Sequence, residues 1–565
     1  VDQPVIRKVK KELQRLIHQA WEKAFQEGLL PKPGTRDEIM LEVPKERAHG
    51  NFASNIAFQL AARTRAEGER GRAPRDVAEI LRERLPAHPY VAGVETAGAG
   101  FLNFRLTPLW LQEVLLNLAG APDDYGRIDD LKGEKIQLEF ISANPVGPMN
   151  VVNARAGALG DSLARLFAFC GAEVEKEYYV NDYGMQVTIL GESLEARYRE
   201  LLGEEVTFPD YGYQGEYLID LARELLEEKG RSLMELPREE RIDFCREWGC
   251  RRILESQRKD LEDFGIIYDQ WFSERTLHES GAVDAVVQRM EKNNLLYEKD
   301  GALWFWATAF GDEKDRVVST ADGRTTYFTA DIAYHLDKLA RGFTHLINIW
   351  GPDHHGYIAR MKAALEALGY GREKLEILIA QQINLIKDGK PYKMSKRRGE
   401  FITMRDLLEE VGNDAARWYF LMRSPESHVD FDLDLAKQET AENPVFYVQY
   451  AHARIASLFR QLDREFRPDP ATINAAAWED DELEILEKVA FFPEILALAA
   501  GEREPHRLTA YLLELATLFH SYYNRKRFLT EDEQLTHIRL SLAFAVGAVV
   551  RNGLRLLGIT APEKM

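Results

Sequence analysis

KIQLEFISANPVGPMNVVNARAGALGDSLARLFAFCG, residues 135–171, decides how this chain folds. An apolar run, KIQLEFIS (135–142), meets a turn rich in Pro and Gly. ARAGALGDSLARLFAFCG (154–171) then reads as a helix closed by Gly171, the residue favoured just past a helix C-terminus. Working outward, VEKEYYV (174–180), LWFWAT (303–308), THLINIW (344–350) and LEILIA (375–380) read as further short strands between helical stretches. That alternation predicts an α/β unit built on a doubly wound parallel sheet. The charged stretch of about 185–300 reads as a mostly helical insertion between the halves of the sheet.

The flanks differ from this centre. Residues 1–118 suggest a small α+β domain: a basic helical start (Arg7, Lys8, Lys10, Lys11), strand-like IMLEV (39–43), two helices, and AGAGFLNFRL (97–106) as an exposed strand after a turn. The α/β unit is expected over 119–439. Beyond it, Val445, Val448, Ile455, Leu458 and Phe459, then Leu508, Leu512, Leu515 and Phe519, keep helical spacing, so 440–565 should be an all-α bundle.

Composition narrows the function. At roughly 150 residues per domain, 565 residues suggest three or four domains. A hydrophobic share of 45%, a charged share of 29% and a mean hydropathy of −0.36 fit a water-soluble globular chain. No run approaches the roughly 18 apolar residues of a membrane span, and VDQPVIRKVKKEL is no apolar leader. Three cysteines are too few for a disulfide framework or a Cys-rich zinc site, so a reducing cytoplasm is expected. A net charge of −19 argues against indiscriminate nucleic-acid binding, while leaving room for a local basic face.

Three segments carry chemistry, each at a strand end or in a loop, where open parallel sheets bind ligands. EFISANPVGPMNVVNARAG (139–157) is either a phosphate-binding helix start or a plain turn capped by Asn. KPYKMSKRRGEF (390–401) is either a solvated surface or a cationic loop able to neutralise a departing phosphate. WGPDHHGYIARMKAAL (350–365) is either a capped helix start or a nucleotide contact. A metal site there lacks further ligands at suitable spacing.

Together, in this order, the segments resemble class I aminoacyl-tRNA synthetases, and the wording is similar to the arginyl-tRNA synthetase family. The likeness runs through SANPVGP, YYVNDYG (178–184), YGYQGEY (211–217), GPDHHGY, KMSKR, the segment DAARWYFLMRSPESHVDFDLDLAKQETAENPVFYVQYAHARI (414–455) and GITAPEKM, and so covers essentially the whole chain. It implies a Rossmann-type catalytic domain between an N-terminal domain that reads the tRNA D-loop and a C-terminal anticodon-binding bundle. It also implies arginine, ATP with Mg²⁺, and tRNA(Arg) as partners, a monomer, and no resident metal.

The resemblance assigns residues as well. Glu139 and Asp331 would take the guanidinium, with Ser142, Asn144 and Tyr327 holding the rest of the amino acid. Independently, an acidic residue such as Glu139 inside an apolar strand costs stability unless it is paired, so a structural ion pair is the competing reading. Asp353, His354 and His355 map onto ATP contacts, and Lys393, Met394, Ser395 and Lys396 onto the KMSK loop. Phe101 and Asn103 match D-loop contacts; Tyr447, Tyr450, Tyr523 and Met565 match anticodon contacts. Arg454, Arg507, Arg525, Lys526, Arg527, Arg551 and Arg555 are candidate phosphate partners. The acidic patch WEDDELEILE (478–487) is expected to lie apart from them.

One departure stands out. The His-x-Gly-His signature of class I falls on Asn150, Val151, Val152 and Asn153. An Asn amide can donate to a phosphate as imidazole does, without its charge. Asn150 and Asn153 are therefore read as catalytic, ATP-contacting donors. The alternatives are a catalytically impaired paralogue that binds tRNA or arginine, and an enzyme that passes activated arginine to another acceptor.

Overall fold

The computed structural model describes residues 3–34, 39–66, 71–392, 402–462 and 465–565. At its centre lie β1 (Lys135–Phe140), β2 (Glu173–Val180), β3 (Gln270–Ser273), β4 (His345–Trp350) and β5 (Leu375–Ile379). They pair in the order β5-β4-β1-β2-β3, all parallel. The strand order reverses between β1 and β4, which is where a doubly wound sheet opens a crevice at its carboxyl edge. Helix α1 (Val151–Phe169) crosses above β1 and is buried along most of its length. The two approach closely because Gly160 has no Cβ, which would fall on the Phe140 ring.

Two expectations about the central domain need correction. LWFWAT does not join the parallel sheet: Ala302–Phe305 is the middle strand of a separate antiparallel sheet with Leu296–Lys299 and Arg316–Ser319. Four apolar residues have the same periodicity in either setting, so only pairing decides. Conversely, β3 lies within the stretch read as helical insertion. It is four residues long and only partly buried, too short to imprint an alternating pattern. The helical insertion proper consists of Met185–Leu201, Glu216–Lys229 and Arg238–Asp263, around a small core that includes Leu190, Leu194, Leu218 and Trp248.

In the N-terminal domain, Phe101–Leu106 is not an exposed strand but the centre of a three-stranded antiparallel sheet, between Phe52–Ser54 and Val91–Ala97. IMLEV contributes only a single bridge, Glu42 to Ala53. Beyond Asp432 no strand occurs among the described residues. The bundle includes α-helices Pro444–Arg460, Asp480–Ala490, His506–Arg525 and Glu533–Leu556, with Val448, Ile455, Leu512, Leu515 and Phe519 in its core.

Ion pairs join the domains. The basic start docks on the bundle: Arg7 Nε and Lys10 Nζ lie 2.6 and 2.9 Å from the Glu494 carboxylate. Inside, Asp161 of α1 is fully buried and contacts Arg165 (2.8 Å), Arg417 (3.0 Å) and Lys176 (3.1 Å). Burial alone would raise its carboxyl, but these cations hold it below the usual carboxylate range. Arg417 also donates to the carbonyls of Phe264 (2.9 Å) and Leu557 (3.2 Å), so one guanidinium ties α1 to the end of the insertion and to the last bundle helix. Gly558, at φ +69°, lies against that guanidinium, and a Cβ there would overlap it. Gly558→Ala is therefore expected to destabilise the chain by about 1–3 kcal/mol. Gly203→Ala has a similar φ (+81°) but open space, and should cost less. Calorimetric melting of the two variants checks the difference.

Candidate active site

The crevice is shaped by the exit of β1. Ile141 and Ser142 have φ of +68° and +44°, a left-handed step that side chains other than Gly adopt at a cost. It folds the chain over the sheet edge. Ser142 Oγ donates to Glu139 Oε1 (3.1 Å) and accepts from the Tyr179 backbone N–H (3.1 Å). Glu139 is buried, and its Oε2 lies 2.7 Å from Lys338 Nζ. The paired structural carboxylate anticipated as the competing reading is thus present, and it forms part of the pocket wall. The Asn144 side chain meets that of Asn181 at 3.2 Å.

Helix α2 (Tyr327–Ala340) supplies the opposite wall. Tyr327 stands at its first turn, 60% exposed at the mouth. Asp331, one turn on, accepts from Tyr357 Oη at 2.5 Å. A third carboxylate, Glu274, went unread in the sequence because the strand it follows was itself unread. Glu274 is buried and accepts from the Asn181 amide at 2.7 Å. Burial, reinforced by the Glu139 charge and only partly offset by the Tyr357 hydrogen bond, pushes the Asp331 carboxyl up to about 7. Burial and the Asp331 charge push Glu274 up to about 7 as well. Lys338 pairs with Glu139, both Lys338 and Arg360 act on Asp331, and Glu274 has no Lys or Arg partner among the described residues, so three carboxylates face two cations. The pocket therefore has a surplus of negative charge that a guest cation would relieve.

On the phosphate side, Asn150 caps α1 and forms a reciprocal capping box with Asn153. Asn150 Oδ1 accepts from Asn153 N–H (3.0 Å), and Asn153 Oδ1 accepts from Asn150 N–H (2.9 Å). With both oxygens engaged, the two side-chain NH₂ groups remain, and neither finds an acceptor among the described residues. Val152 is half-buried beside them. The chain returns from the KMSK segment directly onto this helix start: Thr403 bridges to Asn150, and Met404 N–H donates to the Met149 carbonyl (2.8 Å). Asp353 and His354 are exposed beyond the carboxyl end of β4, with the His354 ring 6.1 Å from Trp350. Lys393, Met394, Ser395 and Lys396 lie outside the described residues, as does the side chain of His355.

The RNA-facing candidates divide. Arg454 lies 4.7 Å from the ring centres of both Tyr450 and Tyr523, while Tyr447 packs on His520 at 4.4 Å. Met565 is exposed on a tail held to the helix Pro444–Arg460 through His452 and Arg460. In the N-terminal domain Phe101 is 38% exposed, edge-on to Phe58 at 5.1 Å, whereas Asn103 is buried. Other candidate cations are already paired: Arg525 with Asp481, Lys526 with Glu479, Arg507 with Glu504 and Arg551 with Asp123. The acidic patch 478–487 is therefore not apart from the basic residues, because it binds two of them. Its Glu487 also accepts from Asn51 (2.6 Å) across the domain boundary.

The reversed parallel sheet, the α1 turn and the helical bundle define a class I aminoacyl-tRNA synthetase architecture. Residues 122–447 match the family described as tRNA synthetases class I (R), catalytic domain; 11–106 match the arginyl tRNA synthetase N terminal domain and 448–565 the DALR anticodon binding domain. Arginine–tRNA ligase of Desulforamulus reducens is 46% identical over 567 residues, covering 100% of both chains, and that of Geobacillus kaustophilus is 45% identical over 99% of this chain and 100% of its own. The structure of Thermus thermophilus arginyl-tRNA synthetase aligns with a TM-score of 0.74 at 25% identity, over 98% of this chain and 100% of its own. A Mycobacterium tuberculosis methionyl-tRNA synthetase shares the fold alone, at 12% identity and a TM-score of 0.55 over 76% of this chain and 92% of its own. The chain belongs to the arginyl-tRNA synthetase family.

The pocket's charge gives a pH expectation. Below about pH 7 Asp331 and Glu274 retain protons. A bound guanidinium favours their ionised forms, so binding expels protons and affinity rises with pH until both are ionised unaided. Titrating free arginine calorimetrically at pH 6.5, in two buffers of different ionisation enthalpy, should reveal net proton release. Asp331→Asn should abolish most of that release.

Proposed function

We propose that this chain is an arginine–tRNA ligase that works in two steps. The arginine carboxylate attacks the α-phosphorus of ATP, forming arginyl-adenylate and releasing pyrophosphate. A ribose hydroxyl of the terminal adenosine of tRNA(Arg) then attacks the acyl carbon, and AMP leaves. The observation that carries the substrate choice is the surplus of carboxylates in the pocket. A guanidinium spreads one charge over five fixed donors and can serve Asp331 and Glu274 together, beside a Glu139 already paired with Lys338, whereas an ammonium is a point charge. Ser142, Asn144 and Tyr327 would hold the amino acid's backbone and stem.

ATP would lie across the start of α1. The Asn150 and Asn153 amides, turned outward by their capping box, would donate to its phosphates with Asp353, His354 and His355 nearby. Lys393 and Lys396, with Met394 and Ser395 between them, would screen the pyrophosphate as it departs. Because neither Asn titrates, this contact would not lose strength as histidines deprotonate. Among the described residues no group of three or more His, Cys, Asp or Glu could hold a metal ion. Mg²⁺ would enter with ATP, as a cation carried on its phosphates. No described helix is long and apolar enough to cross a membrane. A monomer acting in the cytoplasm completes the reading. On the RNA, Phe101 and Asn103 would meet the D-loop, and Tyr447, Tyr450, Tyr523 and Met565 the anticodon.

Two experiments test this. ATP–pyrophosphate exchange should depend on arginine and be supported by tRNA in the natural protein. If that protein is silent while Asn150→His/Val152→Gly/Asn153→His is active, the reading fails. Tyr450→Ala or Tyr523→Ala should raise KM for tRNA by roughly 10- to 100-fold, the worth of one stacked base. KM for arginine should stay near the wild-type value in the same aminoacylation assay.

A further inference from the structure

The pocket proposed to receive a cation already contains one. Lys338 is completely buried. Its ammonium reaches Glu139 Oε2 at 2.7 Å, Asn348 Oδ1 at 3.2 Å and the face of the Tyr334 ring at 4.1 Å. Asn348 lies beside Glu139 in the register of β4 and β1, so sheet pairing fixes both acceptors. From there the hydrogen bonds run in one direction. An ammonium only donates, so Asn348 turns its oxygen to Lys338 and its NH₂ to His335 Nε2, at 2.8 Å. His335 Nδ1 then donates to the backbone carbonyl of Asp331, at 2.7 Å. The imidazole is held neutral in this tautomer: burial, then the Lys338 charge, lower it to about 3. The neighbouring carboxylate Glu177 is served separately, by the Tyr334 hydroxyl (2.5 Å) and Arg341 (2.7 Å).

We propose that Lys338 is a specificity-determining positioning residue, a built-in counter-ion that anchors the chain Glu139–Lys338–Asn348–His335–Asp331 and sets the separation of the two carboxylate walls. This rests on the arginine reading of the site. Lys338 takes the place that a compact ammonium would take on Glu139. A substrate must therefore satisfy Asp331 and Glu274 with a charge that is spread and forked. A lysine side chain would compete with Lys338 for one oxygen and leave the far carboxylates unserved.

Wild-type exchange kinetics with arginine come first, because a lack of arginine dependence overturns the substrate reading itself. Given that dependence, Lys338→Met is expected to raise KM for arginine at least about tenfold while KM for ATP stays within about twofold, and to narrow the preference for arginine over lysine as a competing ligand. Asn348→Asp keeps size and the acceptor for Lys338 but removes the donor to His335. It should raise KM for arginine by at least about fivefold with little change in melting temperature. If either folded variant leaves KM for arginine within about twofold of wild type, or moves the KM of arginine and of ATP in parallel, the proposal is overturned. Where Lys338→Met does not fold, Asn348→Asp alone decides.

Discussion

The Glu139–Lys338 ion pair is the constraint around which the catalytic domain is arranged. It joins the central strand β1 to helix α2, across the point where strand order reverses. Two charges buried in a sheet crevice are costly unless their remaining hydrogen-bonding capacity is met. Here Ser142, Asn348 and the ring of Tyr334 meet it. The pair therefore fixes geometry more than it adds stability. With Glu139 neutralised from within and Arg360 acting on Asp331, the three carboxylates still outnumber the two cations, which leaves charge to be satisfied from outside.

The same economy governs α1. Its first turn carries the two asparagines, and its middle carries Asp161, the contact of Arg417. Through Arg417 the helix that starts at the proposed nucleotide site is bonded to carbonyls at the end of the insertion and of the last bundle helix. The segment following the KMSK loop is bonded to the start of that helix. The first contact couples any shift of α1 to the bundle, and the second couples it to the segment after the KMSK loop.

The net charge of −19 acquires a different meaning once partners are known. Much of the acid is bound: Glu494 docks the N-terminal helix, and Glu479 and Asp481 hold Lys526 and Arg525. Several cations that would suit phosphates are therefore already committed within the protein. Arg454 differs, lying between two tyrosine rings at the bundle surface. Selective RNA contact can rest on such local stacking while the acidic surface discourages indiscriminate binding.

The order of apolar runs, the Gly- and Pro-rich turn and the helical spacing beyond residue 440 determined the doubly wound sheet and the all-α bundle, because those periodicities are local. Glu139 could be singled out as an acid in an apolar strand, and the motif likeness carried Asp331 and the asparagines. Four-residue strands gave no such signal. LWFWAT and β3 were consequently assigned to the wrong setting, and Glu274, which follows β3, was missed with it. Tertiary structure alone decided that Lys338 neutralises Glu139, that His335 stays neutral between Asn348 and Asp331, and that the acidic patch 478–487 grips the basic residues expected to stand free. Each of these depends on which side chains meet across long sequence separations, where charge and burial act on positions that local spacing does not specify.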